Sequence, residues 1–307
     1  MTVLVTGGSG MLARNLRDVL NARGPTEEYF FANRDDADLT DAQQTRSLIS
    51  YVRPRLIIHA AARVAGFAER QARPLDFLLD NVALDGAVVR AALEGGVEQF
   101  LYVGSALAYP PTSAGIRSTE RDFLRSGFKS LSSNYGLAKA VGMRLVESAA
   151  AQHHVAYRVV IPSNLYGPHD HFSADGGHVV PAALVKAHLA CGSGSSVRML
   201  GDGRDERQFT FAPDLAQWMI EVANDVSRLP ALLNVGGDAI TPIGEVYREA
   251  VKLAGCGSPI EQDLSFSSVA TSQLIESTLA HDYGWAQATS LSAGMAQTHG
   301  WYLSNVA

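Results

Sequence analysis

The sequence holds only two cysteines, Cys191 and Cys256, in no metal-ligand spacing. That argues against a disulfide framework or a cysteine zinc site and fits a reducing, cytoplasmic compartment. Positive charge is scarce too: 25 Lys and Arg stand against 31 Asp and Glu, for a net charge of -6 with 18% charged residues. No basic face is therefore expected for nucleic acid or an anionic membrane, and any anionic ligand must be met by a few local groups. No apolar run approaches the roughly 20 residues that span a bilayer. The chain opens on the apolar strand Val3-Leu4-Val5 with no basic leader, so the expectation is a soluble, unprocessed protein. His169, His171 and His178 have no cysteine or carboxylate cluster at ligand spacing, and they read as loop histidines with no metal. No internal repeat is visible, and 307 residues suffice for one large domain or a domain with an appended lobe.

What the chain does have begins at its first strand. Thr2 to Thr6 runs into Gly7-Gly8-Ser9-Gly10-Met11-Leu12-Ala13, then into apolar residues at helical spacing up to Leu20. Strand, glycine turn and helix in that order suit a dinucleotide. Gly7 allows the tight turn, Gly10 lets backbone approach a diphosphate, and the helix N-terminus offers free N–H groups and a positive dipole end. After a second strand, Tyr29 to Ala32, Asn33-Arg34 arrive where an acidic residue would bind the adenosine ribose. Arg34 can meet a 2′-phosphate, unless Asp35 or Asp36 pairs with it, so NADP is expected over NAD. Asp38 is placed to face the adenine, and Asp41 reads as the N-cap of a helix over 42–52.

Further strands are expected at Leu56 to His59, followed by the small residues Ala60 and Ala61, and at Gln99 to Val103, ending at Gly104-Ser105; His59 reads as a packing residue. A long helix, with Asn81 inside it, is expected from Asp76 to Leu93. Alternating strands and helices imply a parallel sheet with ligands beyond the strand C-termini. Pro110-Pro111 opens a turn-rich stretch to Ser132, expected as a lid loop with little regular structure. Tyr135 and Lys139 are four residues apart in a helix expected from Asn134 to Gln152. They share one face, and a neighbouring ammonium lowers a phenol pKa, so the pair suits proton transfer to a carbonyl oxygen. Ala156 to Ile161 is the next strand; beyond Tyr166 the alternation breaks and a substrate lobe begins, with a helix over Glu245 to Leu253.

Several blocks carry a resemblance: Val5 to Met11, Gly104-Ser105 with Tyr109-Pro110, Tyr135 to Lys139, Pro162 to Pro168, His178 to Ala182, and Arg207-Gln208-Phe209. Across most of residues 1–220 the chain resembles the extended short-chain dehydrogenase/reductases, and within them the GDP-L-fucose synthase group, NADPH-dependent 3,5-epimerases and 4-reductases of GDP-4-keto-6-deoxymannose. The resemblance implies an α/β fold: a Rossmann-type doubly wound parallel sheet over 1–165, with 205–237 returning to it, and a smaller C-terminal substrate-binding lobe of 166–204 and 238–307. It implies that Tyr135 is the acid, Ser105 holds the carbonyl, Lys139 contacts the nicotinamide ribose and lowers the Tyr135 pKa, and His178 serves proton transfer at the sugar. Cofactor contacts would come from Gly7, Gly10, Met11, Arg34, Asp38, Leu39, Ala60, Ala61, Pro162, Asn164 and Leu165, with Tyr135 and Lys139. Substrate contacts would come from Leu107, Asn164, His178, Val179, Lys186 and Arg207, and a homodimer is implied.

Two departures qualify that resemblance. Leu107 stands where the group has its epimerisation cysteine, and leucine can neither take nor return a proton, so epimerase activity is expected to be lost or weak unless Tyr109 or a water substitutes. The group carries an Arg-Lys pair, used on the nucleotide side, in the segment before its Gly-Trp, whereas here Ser272-Gln273-Leu274-Ile275 precedes Gly284-Trp285 without that pair, which leaves a GDP- or dTDP-linked substrate open. The expected activity is NADP(H)-dependent reduction of the C4 ketone of a nucleotide-linked 4-keto-6-deoxy sugar. The alternatives are a nucleotide-sugar 4-epimerase with tightly bound NAD, a full bifunctional enzyme, and a non-catalytic dinucleotide sensor.

Overall fold

A computed structural model describes residues 2–24, 27–64, 67–110, 112, 115–125, 134–265 and 274–307. In chain order the first half gives β1 (Thr2–Thr6), α1 (Met11–Arg23), β2 (Glu28–Ala32), α2 (Ala42–Val52), β3 (Leu56–His59), α3 (Phe67–Ala72), α4 (Pro74–Glu94) and β4 (Gln99–Val103). There follow β5 (Arg117–Ser118), α5 (Glu120–Arg125), α6 (Asn134–His153), β6 (Ala156–Pro162), β7 (Asn164–Tyr166), α7 (Val179–Ser193), β8 (Val197–Leu200), β9 (Glu206–Phe211) and α8 (Ala212–Val222). The remainder is β10 (Leu232–Val235), β11 (Ile240–Pro242), α9 (Ile243–Ala254), β12 (Ile260–Asp263), β13 (Leu274–Ile275), α10 (Thr278–His281) and α11 (Leu291–Asn305).

Every residue of β3 is buried, as an inner strand covered on both faces requires. Six strands pair in parallel in the order β10-β6-β4-β3-β1-β2. The register puts Thr6 beside both Ala32 and His59, and His59 beside Tyr102. The glycine turn, the Asn33-Arg34 segment, the Ala60-Ala61 run and Ser105 therefore leave the sheet along one edge. The strand order reverses at β1, and ligands of such sheets bind at the reversal.

One face of the sheet is covered by side chains such as Leu48, Val88, Met143 and Val146, and the other by Leu12, Leu16, Leu215, Met219 and Trp285. A third buried cluster gathers Tyr166, Val180, Leu184, Phe209, Val246 and Met295. Around it lie a three-stranded sheet in the order β11-β9-β7 and the parallel pair β12-β8. Thus β9 lies in the small sheet, and the chain returns to the large one through α8, which packs on α1, and through β10 at its edge.

The described residues between 115 and 125 hold more regular structure than the turn-rich composition of the stretch from 110 to 132 suggests. Within its described part, β5 pairs in parallel with β13 and α5 follows directly; a strand whose partner lies far along the chain leaves no local signal. Residues 111, 113–114 and 126–133, and the 271–273 segment containing Ser272 and Gln273, lie outside the described residues. Asp41 caps α2, accepting from the N–H groups of Gln43 at 2.8 Å and Gln44 at 2.9 Å. Among the described residues no helix is long and apolar enough to cross a membrane.

Candidate active site

The glycine turn is built for close approach. Gly7 has φ +74°, and a Cβ there would sit 2.8 Å from the Ala61 Cα, so a side chain is excluded sterically and conformationally. Gly10 N–H donates to Gly7 O at 2.8 Å. Helix α1 then starts at Met11 with Gly10 as its N-cap, no side chain capping the first turn and no acidic residue within it. Its first N–H groups and positive end are left for an anion, which fits a dinucleotide diphosphate.

Arg34 is exposed. Asp36 is engaged elsewhere: its Oδ2 accepts from Asn33 N–H at 2.8 Å, while Asp35 N–H donates to Asn33 Oδ1 at 2.7 Å. Among the described residues no carboxylate lies within ion-pair distance of Arg34, so the pairing with Asp35 or Asp36 weighed from the sequence does not form. Asp38 Oδ1 accepts from the N–H and hydroxyl of Thr40 at 2.9 and 2.7 Å. Those bonds hold its carboxyl below the usual range, and Leu39 beside it is half-buried against the core.

Ser105 follows β4 and caps a short 3-10 turn, its Oγ accepting from Leu107 N–H at 3.2 Å. Ser105 also stands near enough to the Tyr135 phenol to act on its ionisation. Tyr135 and Lys139 lie one turn apart in α6, 8% and 2% exposed. Burial pushes the phenol up to about 12; Asp85 adds to the rise, while Arg70 and Ser105 oppose it. The expectation that Lys139 draws this pKa down is not met. Burial pulls Lys139 itself toward neutrality against the pull of the Asp85 carboxylate, and its Nζ sits 4.0 Å from the Tyr102 ring centroid. Tyr135 is accordingly a protonated acid at neutral pH.

Leu107 is half-buried and brings no titratable group. Tyr109 does not stand in for one. It is 1% exposed and donates its hydroxyl to Asn234 Oδ1 at 2.7 Å, and burial pushes its pKa far up.

His178 occupies the position before α7 without capping it through its side chain, and its Nδ1 lies 3.1 Å from Asp170 Oδ1, which also accepts from His171 N–H at 2.7 Å. Its side chain is 41% exposed, whereas that of Asp170 is buried. Val179 follows in the first turn of α7. Lys186, further along, is half-buried, which pulls its pKa down, and lies 6.0 Å from the Tyr247 ring centroid. Arg207 in β9 donates to Glu206 O at 2.8 Å and lies 3.7 Å from Asp205 Oδ2; its pKa is also lowered by burial. Asn164, in β7, donates to Gln208 O at 2.9 Å and is otherwise exposed, with buried Pro162 and half-buried Leu165 on either side. Ala60 and Ala61 follow β3 and lie next to Gly7, Ala61 donating its N–H to Thr6 Oγ1 at 3.2 Å. Among the described residues no three His, Cys, Asp or Glu side chains are placed to hold a metal ion.

Sequence reasoning missed the groups behind Tyr135 and Lys139: Arg70, Asp85 and Tyr102. One signal was available. Asn81 and Asp85, four apart, are polar residues on the otherwise apolar buried face of α4, and such residues need partners inside.

The model of the NAD dependent epimerase/dehydratase family matches residues 3–236. GDP-L-fucose synthase of Escherichia coli is 31% identical over 99% of this chain and 97% of its own length. GDP-L-colitose synthase of Yersinia pseudotuberculosis is 29% identical over 99% of this chain and 98% of its own. Among solved structures, a GDP-mannoheptose C4 reductase of Campylobacter jejuni with NADP bound superposes with a TM-score of 0.84 at 21% identity, over 98% of both chains.

Proposed function

The chain belongs to the NAD dependent epimerase/dehydratase family, and on that premise we propose that it reduces the C4 ketone of a nucleotide-linked 4-keto-6-deoxy sugar with NADPH, leaving C3 and C5 uninverted. The observation that carries the proposal is the buried Tyr135 phenol, close to Ser105 at the end of β4 and protonated at neutral pH, with Leu107 in the turn that Ser105 caps. The cofactor, when bound, supplies the hydride. Tyr135 gives its proton to the ketone oxygen as charge develops there, and the Ser105 hydroxyl fixes that oxygen. Lys139 contacts the nicotinamide ribose. The bare N-terminus of α1 and Gly7 and Gly10 take the diphosphate, with Met11 and Ala13 at the head of that helix. Arg34, in no ion pair among the described residues, meets the 2′-phosphate, while Asp38 and Leu39 flank the adenine.

Arg207, Lys186 and Asn164 supply the charge and hydrogen bonds for the sugar diphosphate, Arg by its bidentate fork. His178 and Val179 lie toward the sugar. All three relatives carry a GDP-sugar in their names, which favours GDP. One of them is named for C4 reduction alone. Inverting C3 or C5 requires a base on one face of the ring and an acid on the other. With Leu107 in place and Tyr109 bonded to Asn234, neither of these two positions supplies the second partner. A homodimer is part of the same proposal.

The test is NADPH oxidation with GDP- and dTDP-linked 4-keto-6-deoxy sugars in heavy water. Stoichiometric oxidation is expected, faster with NADPH than with NADH and without deuterium at C3 or C5. Deuterium entering those carbons at catalytic rates would make the enzyme bifunctional, and interconversion of sugars with no net NADPH use would make it a 4-epimerase.

A further inference from the structure

Behind Tyr135 and Lys139 runs a chain of buried polar groups that the reduction does not itself consume. Ala61 N–H donates to Thr6 Oγ1 at 3.2 Å, and that oxygen lies 2.7 Å from His59 Nδ1. On the far side of the ring His59 Nε2 is 3.1 Å from Asp85 Oδ1, and Tyr102 donates its hydroxyl to Asp85 Oδ2 at 2.5 Å. One assignment satisfies every atom: the carboxylate accepts, so Nε2 carries the proton and donates, Nδ1 accepts from the Thr6 hydroxyl, and the threonine oxygen accepts from Ala61. The Tyr102 ring then carries Lys139 Nζ 4.0 Å from its centroid. Thr6, His59, Asp85 and Tyr102 are at most 1% exposed.

We propose that Asp85 is a positioning residue of the reductase: it holds Lys139 as an ammonium in the buried site beside Tyr135, and through His59 and Thr6 it ties that charge to the strand ends that carry the glycine turn. The proposal deepens the functional reading above and rests on Lys139 being part of the reducing site. A buried carboxylate is costly unless a charge or several hydrogen bonds answer it; Asp85 has two neutral donors and the field of Lys139.

The groups facing the pair are His59 from β3, Tyr102 from β4, Tyr135 from α6 and, acting on Tyr135, Arg70 from α3. Burial keeps His59 neutral and both phenols protonated. Asp85 is therefore the one anion that acts on Lys139 among the described residues, opposing the burial that drives the amine toward neutrality. In the other direction, Lys139, His59 and Tyr102 together hold the Asp85 carboxyl below its ordinary range despite its burial. A network that merely braced the strands would leave the ionisation of Lys139 unchanged.

The sequence makes that ionisation readable, because it contains just four lysines, Lys129, Lys139, Lys186 and Lys252. Lysine labelled with nitrogen-15 on its side chain, with Lys139→Met to assign the signal, follows Lys139 by NMR without any substrate. In the wild type Lys139 is expected as an ammonium at pH 7.5; in Asp85→Asn its midpoint is expected to fall by about one pH unit or more. The alkaline limb of ketone reduction is expected to move by the same amount. A neutral Lys139 in the wild type at pH 7.5 overturns the proposal, even should Asp85→Asn not fold, and so does an unmoved midpoint in folded Asp85→Asn. Absence of turnover with every sugar tested would defeat the functional reading and leave the lysine titration to be judged on its own.

Discussion

Tyr135 holds its proton because burial makes the phenolate expensive, and a pKa of about 12 suits a group that must donate as a ketone becomes an alcohol. On the proposed reading, Leu107 is the residue that separates reduction alone from reduction with inversion. Its backbone N–H is pinned by Ser105, so a side chain of similar size at this position leaves from a fixed point in the turn. Leu107→Cys puts a titratable thiol there. In heavy water the variant is expected to raise deuterium incorporation at C3 or C5 at least about tenfold over wild type, since a positioned acid or base contributes about 10²–10⁴. Mass spectrometry of the reduced sugar reads the label. No gain would mean that something other than this side chain limits inversion.

Helix α6 carries the tyrosine and the lysine, and its seat on α4 and β4 sets where they stand. The closest approach is at Gly142, one turn beyond Lys139. A Cβ there would fall on Asp85 Oδ2 and the Tyr102 hydroxyl, and within 2.8 Å of Tyr102 Cζ. None of these atoms is at the end of a freely moving side chain, because each is held in the buried network. Gly142→Ala is therefore expected to destabilise by about 1–3 kcal/mol through overpacking, despite the better helix propensity of alanine. It should also slow ketone reduction by displacing Lys139. Denaturant unfolding and steady-state kinetics on one preparation check both; a variant as stable as wild type would show that α6 can slide away without cost.

For the whole molecule, the buried network makes stability depend on pH. His59 is neutral in the fold because burial lowers its pKa from the ordinary 6.5. Below about 6.5 the unfolded chain takes up a proton that the folded one refuses. The stability due to this group is thus present above 6.5 and lost as pH falls below it, at a rate of at most about 1.4 kcal/mol per pH unit. Asp85, with a depressed pKa, acts in the same direction at lower pH: its contribution is present above the ordinary carboxyl value and lost as pH falls through the folded one. Urea unfolding at pH 7, 6 and 5 should show the decline, and His59→Gln should flatten it. An equal slope in the variant would place the acid sensitivity elsewhere.

The amino-acid sequence alone determined what depends on spacing along the chain. The strand, glycine turn and helix at the N-terminus, the Asp41 cap, and Ser105, Tyr135 and Lys139 at a strand end and on a helix face are all local patterns, and the structure has each where the pattern puts it. Only the tertiary structure decided what surrounds them. Thr6, His59, Asp85 and Tyr102 come from β1, β3, α4 and β4, and nothing in their separate neighbourhoods announces that they meet. The Tyr135 pKa went up where the adjacent lysine suggested down, Tyr109 turned to Asn234, and β5 found a partner in β13. Desolvation and long-range pairing are properties of the folded interior, and periodicity and spacing do not encode them.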